Sequence, residues 1–112
     1  MIPKRIALIE TAISEAAGIT ITNIRGKQRH SECVLARMAV WYIAYEYCNY
    51  SYKAISRIYD RDHSTIMHGV KKIKDDVHAA KKIFEGVKKV YPEVFEDAKG
   101  EEVRGLEHWE FG

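Results

Sequence analysis

The stretch that decides the fold is Arg61-Asp62-His63-Ser64-Thr65-Ile66-Met67-His68-Gly69-Val70-Lys71-Lys72-Ile73. Asp62 predicts a helix start, because an aspartate carboxylate can accept hydrogen bonds from the free N–H groups one turn on. The apolar residues that follow recur at i, i+4, i+7 and i+11, and they are Ile66, Val70, Ile73 and Val77. This spacing buries one face of the helix and leaves His68, Lys71 and Lys72 largely outside it.

A shorter helix is predicted just before this one. Ser51 is expected to cap it, and it runs to about Tyr59 with Ile55 and Ile58 facing inward. Two or three residues then separate it from Asp62, and two helices joined so tightly form a helix-turn-helix. In such motifs the N-terminal residues of the second helix enter the major groove of duplex DNA. The pattern therefore predicts a recognition helix and double-stranded DNA as the partner.

Four more helices are predicted, and no strand. They cover about residues 3–17, a short segment capped by Thr20 or Thr22, Ser31 to about Cys48, and a segment through Ile83, Val87 and Val90 that ends before Pro92. Gly18 and Asn49 are expected to end the first and the long helix. Along the long helix, the residues expected to be buried are Val34, Met38, Trp41 and Tyr45. The fold class is therefore all-α: a compact domain of about six helices with a helix-turn-helix, plus an acidic C-terminal tail.

The charge distribution divides the chain in two. Of its 112 residues, 1–91 hold sixteen Lys and Arg against nine Asp and Glu, whereas 92–112 hold two against seven. The body is thus basic enough for a polyanion binder, although lysine-rich faces are also common as solvated surface. The tail has three interpretations: it docks a protein partner through Trp109 and Phe111, it folds over the basic face and competes with DNA, or it is solvated without a function.

Several function classes find no support in the sequence. There is no membrane-spanning run, secretion signal or phosphate-binding glycine loop, and Cys33 and Cys48 would lie roughly 22 Å apart on one helix, beyond disulfide reach. His63 and His68 would point roughly 140° apart around a helix, too far to share a metal ion. The expectation is a cytoplasmic protein without membrane contact, cofactor or metal, and without enzymatic activity. A hydrolase would need clustered carboxylates near a cation, and the sequence shows none.

The motif from Ile55 to His68, continuing to Lys72-Ile73, resembles the signature of the C-terminal DNA-binding domain of the bacterial replication initiator DnaA. Its Arg-Asp-His-Ser-Thr core with a histidine three residues later is the specific part, and the similarity runs from about residue 2 to 78. The resemblance implies a stand-alone, Trp-repressor-like helix-turn-helix domain without the ATPase module of full initiators. It also implies a role in origin recognition or transcriptional regulation, encoded by a chromosome, a phage or another mobile element.

The resemblance implies two arginine contacts outside the helix-turn-helix. In the family, an arginine of the basic loop enters the minor groove, and Arg29, flanked by Lys27 and His30, is the residue at that position. A guanidinium in a narrow minor groove responds to A·T-rich shape. A second family arginine, on the long helix, reaches a guanine in the major groove, and Arg37 matches it.

The resemblance also implies roles along the recognition helix. Asp62, His63 and Ser64 match the triplet that contacts base edges, so Asp62 would cap the helix and accept from a base amino group at once. Three further residues match positions that bind phosphates without encoding sequence, and they are Thr65, His68 and Lys72.

Two features leave alternatives open. The turn has Tyr59-Asp60 where the family often has an aromatic residue followed by glycine, and Met38 replaces the usual glutamine after the long-helix arginine. The DNA sequence that the domain prefers therefore does not follow from the resemblance. A protein-protein adaptor that reuses the fold without binding DNA is the alternative function. The sequence does not determine the oligomeric state.

Overall fold

The computed structural model describes residues 2–96, with only the backbone of Glu96, and in that range it contains helices and no strand. The elements are α1 (Lys4–Ala17), α2 (Ile21–Arg25), α3 (Ser31–Cys48), α4 (Tyr52–Tyr59), α5 (His63–Asp75), a 3₁₀ turn (Val77–Ala80), α6 (Lys81–Val90) and α7 (Glu93–Glu96). The all-α prediction is confirmed. One helix more than expected is present among the described residues, because α7 forms inside the segment assigned to the tail.

The predicted helix ends are confirmed where local chemistry sets them. Gly18 ends α1 in the left-handed region at φ 71°, and Asn49 ends α3 there at φ 59°. The Thr20 hydroxyl accepts from the Asn23 N–H at 3.1 Å at the start of α2. The Ser51 hydroxyl does the same for α4, so these caps are readable from residue type alone.

α3 is the centre of the domain and is buried on nearly all sides. α1, α2, α4 and α5 all pack against it. The single buried stripe predicted for α3 is wrong in part, because Trp41 is buried but Val34, Met38 and Tyr45 are only half-buried. A helix surrounded by neighbours has no solvent face to produce an amphipathic pattern. Its buried residues include three alanines, Ala36, Ala39 and Ala44, together with the β-branched Val40 and Ile43.

α5 packs closely on α3 at Gly69. A Cβ on Gly69 would lie 2.7 Å from Trp41 Cε3 and 3.1 Å from Met38 Cγ, closer than side chains approach one another. Ile66, Val70 and Ile73 are buried, as the helical spacing predicts. The helix ends at Asp75, two residues before the predicted end. Glycine at the crossing therefore sets how deep the recognition helix sits against the core.

Part of the segment assigned to the acidic tail packs on the body. Val94 and Phe95 of α7 are buried, and the Phe95 ring meets the Tyr47 ring edge to face at 4.8 Å between centroids. Apolar side chains in an acidic segment still gain free energy by leaving water. Trp109 and Phe111 lie outside the described residues. Between residues 2 and 96, no helix is both long and apolar enough to cross a bilayer.

Candidate nucleic-acid interface

The turn of the helix-turn-helix is the segment that joins α4 to α5. Its first residue, Asp60, lies in the left-handed region at φ 55° and ψ 53°. The backbone N–H groups of Asp60 and Arg61 both donate to the Ser56 carbonyl, which closes the end of α4. Aspartate tolerates this conformation better than most residues with a Cβ, so the turn forms where the family often has glycine.

The first turn of α5 is exposed, as predicted. Asp62, His63, Ser64 and Thr65 all face solvent. The prediction that the Asp62 carboxylate caps the helix is wrong, because only its backbone carbonyl is used, accepting from Thr65 N at 3.1 Å and Ile66 N at 3.2 Å. The carboxylate makes no hydrogen bond to the helix N-terminus. It is left accessible at the tip of the recognition helix.

The three residues matched to phosphate contacts lie together. Thr65, His68 and Lys72 line one side of a groove of about 270 Å³ between α5 and α3. Met38 and Trp41 of α3 form part of its opposite wall. The hydroxyl, imidazole and ammonium groups can all donate to an anionic oxygen. The structure therefore places these three donors on one face, next to the first turn.

The basic loop, residues 26–30, adjoins the same face. Arg29 lines a second groove together with Lys72, Val34 and Met38, and the last three also line the first groove. Lys27 and Arg29 are exposed. One carboxylate, that of Glu32, borders this second groove. The loop cations and the α5 donors thus share a continuous surface, which we call the α3–α5 face.

Arg61, the residue before Asp62, connects the recognition helix to this loop. Its Nη2 donates to the Gly26 carbonyl at 2.5 Å. Its guanidinium carbon lies 5.7 Å from the centre of the Trp41 ring, within the range of a cation–π contact. The loop is therefore bonded to the turn of the helix-turn-helix, although 35 positions separate the two residues.

Arg37 lines the first groove, but its side chain is almost entirely buried. The residue is 4% exposed, and its guanidinium donates to the carbonyls of Ile24, Gln28 and Asn23 at 2.9, 3.1 and 2.9 Å. Burial lowers the pKa of Arg37 and the nearby Arg61 charge lowers it further, but an arginine keeps its proton in proteins. Three of its five N–H donors bond to the main chain, so Arg37 holds the loop in this structure.

Arg37 and Arg61 together fix both sides of the loop. Arg61 binds the carbonyl of Gly26 and Arg37 that of Gln28, so the residues on either side of Lys27 are anchored. Arg29 follows directly after the second anchor. Two long-range arginine contacts therefore set where the loop cations lie relative to α5.

A buried polar network supports the helix-turn-helix from behind, and the sequence analysis missed it. Glu10 is 0% exposed; its carboxylate accepts from Arg25 Nη2 at 2.6 Å and from the Tyr59 hydroxyl at 2.6 Å. Burial raises the pKa of Tyr59, as does its bond to Glu10, and the bond to Glu10 raises the pKa of Arg25. The signal was present, since Glu10 falls on the apolar stripe formed by Ile6, Ile9 and Ile13.

The network ties three helices to the turn. Glu10 lies on α1, Arg25 ends α2, and Tyr59 is the last residue of α4. A buried carboxylate is costly unless it is paired and hydrogen-bonded, and here both oxygens have partners. The contact therefore fixes the end of α4, from which α5 departs.

Comparison with known proteins identifies a family that this chain matches. The family described as bacterial dnaA protein helix-turn-helix matches residues 6–73. The chromosomal replication initiator protein DnaA of Kosmotoga olearia is 36% identical over 70 residues, 62% of this chain and 16% of that protein. DnaA 2 of Protochlamydia amoebophila is 30% identical over 76 residues, 68% of this chain and 17% of that protein. DnaA of Streptococcus agalactiae is 34% identical over 70 residues, with coverage of 62% and 16%. The chain thus spans about one sixth of the length of these relatives.

Proposed function

The chain belongs to the bacterial DnaA helix-turn-helix family, and we propose that it binds double-stranded DNA sequence-specifically through the α3–α5 face. The observation that supports this most strongly is the exposed first turn of α5 beside a basic loop, which Arg61 bonds to the turn before α5 and Arg37 bonds to α3. In a DNA duplex the major and minor grooves lie side by side, so a helix tip in one groove and a cationic loop in the next can bind the same site.

Base contacts in this proposal come from the first turn of α5. The Asp62 carboxylate, free of the helix N-terminus, accepts from a cytosine or adenine amino group. His63 and Ser64, exposed beside it, contact neighbouring bases. These three residues read the DNA sequence, because each base pair presents its own pattern of hydrogen-bond donors and acceptors in the major groove.

Phosphate contacts come from the groove behind that turn. Thr65, His68 and Lys72 donate to backbone oxygens, and their position on one wall keeps them in register with the first turn. Arg29 extends the positive surface toward the minor groove, and the exposed Lys27 lies in the same loop. Arg37 acts indirectly here, by holding the loop on which those two residues lie.

The biological setting follows from the relatives by analogy. They are named chromosomal replication initiator proteins, and this chain matches about one sixth of their length. We therefore assign it recognition of a replication origin or of a regulatory DNA site, without assigning any activity that belongs to the rest of an initiator. An adaptor without DNA affinity is the alternative that the experiment must reject.

Selection of bound sites from a pool of random duplexes tests the proposal. We expect a short enriched motif, and an affinity for it that falls steeply with salt, since each phosphate neutralised releases counterions. His63→Ala should lose about 1–3 kcal/mol of preference for the enriched site. Lys72→Ala should weaken all duplexes alike and reduce the salt slope by about 1.

Lys82→Ala is the matched control for Lys72→Ala. Lys82 is an exposed lysine on α6, a helix that packs on α1 and away from the α3–α5 face. Lys82→Ala removes the same charge, but outside the α3–α5 face, so it should change the affinity for DNA much less than Lys72→Ala does. A pool without enrichment, or an affinity that does not depend on salt, would reject DNA binding in favour of the adaptor.

A further inference from the structure

Three aromatic rings form a ladder that ends at the recognition helix. Tyr45 of α3 and Tyr52 of α4 are stacked, with centroids 4.3 Å apart and planes 6° from parallel. Tyr52 then meets the His63 imidazole edge to face, with centroids 5.8 Å apart and planes 70° apart. The ladder thus connects the central helix, the first helix of the motif and the first residue of α5.

The inner part of the ladder is held in place. Tyr45 and Tyr52 are half-buried and pack against the core. Burial raises the pKa of Tyr52 to about 12, and the neighbouring Tyr45 hydroxyl adds to that rise. Tyr52 therefore stays neutral at physiological pH. A half-buried ring that is stacked face to face on another ring has little freedom to change rotamer.

The outer part of the ladder has no such restraint of its own. His63 is exposed, and the structure records no hydrogen bond of its side chain among the described residues. An exposed side chain samples several rotamers within nanoseconds unless a neighbour limits it. The Tyr52 ring is the neighbour that touches the imidazole. The direction in which His63 points therefore depends on Tyr52.

We propose that Tyr52 is a positioning residue for base recognition: stacked on Tyr45, it orients the His63 imidazole and so determines which base edge that ring contacts. The inference rests on the proposed function, because it concerns the specificity of the same face. It assigns to Tyr45 and Tyr52 a part in sequence preference that does not require either of them to touch a base.

The first test uses the free protein, and its outcome does not depend on DNA binding. Proton NMR of the His63 imidazole reports the ring current of Tyr52, which lies within contact distance. Tyr52→Ala should shift the His63 ring signals, whereas Tyr52→Phe should keep them near their original position because the ring is retained. Unchanged His63 signals in Tyr52→Ala would overturn the proposal.

The second test measures preference at single base pairs of the selected site. Tyr52→Ala should lose preference at the same base pair as His63→Ala, by about tenfold if a good base contact is lost. The double variant should lose no more there than His63→Ala alone, because the two residues act through one contact. Tyr52→Phe should retain the preference.

Tyr50→Ala is the control for a merely structural effect. Tyr50 is a half-buried tyrosine in the α3–α4 connection that also packs on the core. It should lower thermal stability as Tyr52→Ala does but keep the base preference. If Tyr52→Ala binds the selected site with unchanged preference, or if Tyr50→Ala loses it equally, the inference fails while DNA binding stands. If no variant and no parent binds duplex DNA, the proposed function fails instead.

Discussion

At the scale of single residues, a buried guanidinium that donates to three main-chain carbonyls acts as a structural centre. Arg37 satisfies acceptors at the end of α2 and in the basic loop that no backbone N–H reaches in this arrangement. Such bonds are strong because the donor is charged and the surroundings exclude water. The resemblance to the family implies a guanine contact for this residue, and the structure shows that it also bonds to the main chain of α2 and of the basic loop.

The variant Arg37→Met distinguishes a structural role in holding the loop from direct contact with a guanine. Methionine fills similar space but orphans the carbonyls, so the free energy of unfolding should fall by about 2–3 kcal/mol. For a domain of this size the midpoint of thermal unfolding should then drop by about 10 °C. Calorimetry checks this. A variant with unchanged stability and a lost guanine preference would instead support direct base reading by Arg37.

At the scale of elements, the turn between α4 and α5 determines how the recognition helix leaves the motif. Asp60 adopts the left-handed conformation there, with φ 55°. A residue with a Cβ pays a steric penalty of about 1–2 kcal/mol in this region, which glycine avoids. Glycine in turn gives the unfolded chain more conformational freedom, which offsets about 0.4–1 kcal/mol of that gain.

Asp60→Gly should therefore raise the midpoint of thermal unfolding slightly, and Asp60→Val should lower it markedly, because a β-branched side chain is least tolerated at positive φ. Ser56→Gly is the control: the same kind of change inside α4 should destabilise, since glycine is a poor helix former. Denaturant titration of the three variants measures the differences. Stabilisation by Ser56→Gly, or none by Asp60→Gly, would contradict the role assigned to the turn.

At the scale of the whole molecule, charge and packing divide the C-terminal segment at different places. The net charge changes sign near residue 92, but Val94 and Phe95 belong to the core. Removing residues 93–112 would therefore remove apolar packing as well as charge. Removing 97–112 alone deletes five Asp and Glu against two Lys and Arg and leaves α7 in place.

The shorter truncation isolates the electrostatic effect. Without residues 97–112 the chain is more positive by three charges, so DNA binding at low salt should tighten, and the gain should vanish at high salt as charges are screened. The longer truncation should instead destabilise the fold by about 3 kcal/mol or more, as two buried side chains lose their contacts. Equal low-salt affinity of the 1–96 chain and the full chain would exclude competition by the segment.

The sequence by itself predicted helices α1 to α6 and several of their ends, but not α7 or the early end of α5. Thr20, Gly18, Asn49 and Ser51 act on backbone groups within five residues, so their effect is visible without any tertiary contact. The helical spacing in α5 determined its buried face for the same reason. The exposed first turn and the family followed from that short motif.

The tertiary structure decided which groups several polar side chains bond to. Arg37 contacts carbonyls 9 to 14 positions away, Arg61 contacts one 35 positions away, and Tyr59 reaches Glu10 across 49 positions. Asp62 starts α5, as its residue type predicts, but only through its backbone carbonyl. The buried positions of α3 were only partly predicted, because the helices packed around it leave little of the polar face on which helical periodicity depends. Side-chain partners depend on which elements meet in space, and periodicity records only which face of an element avoids water.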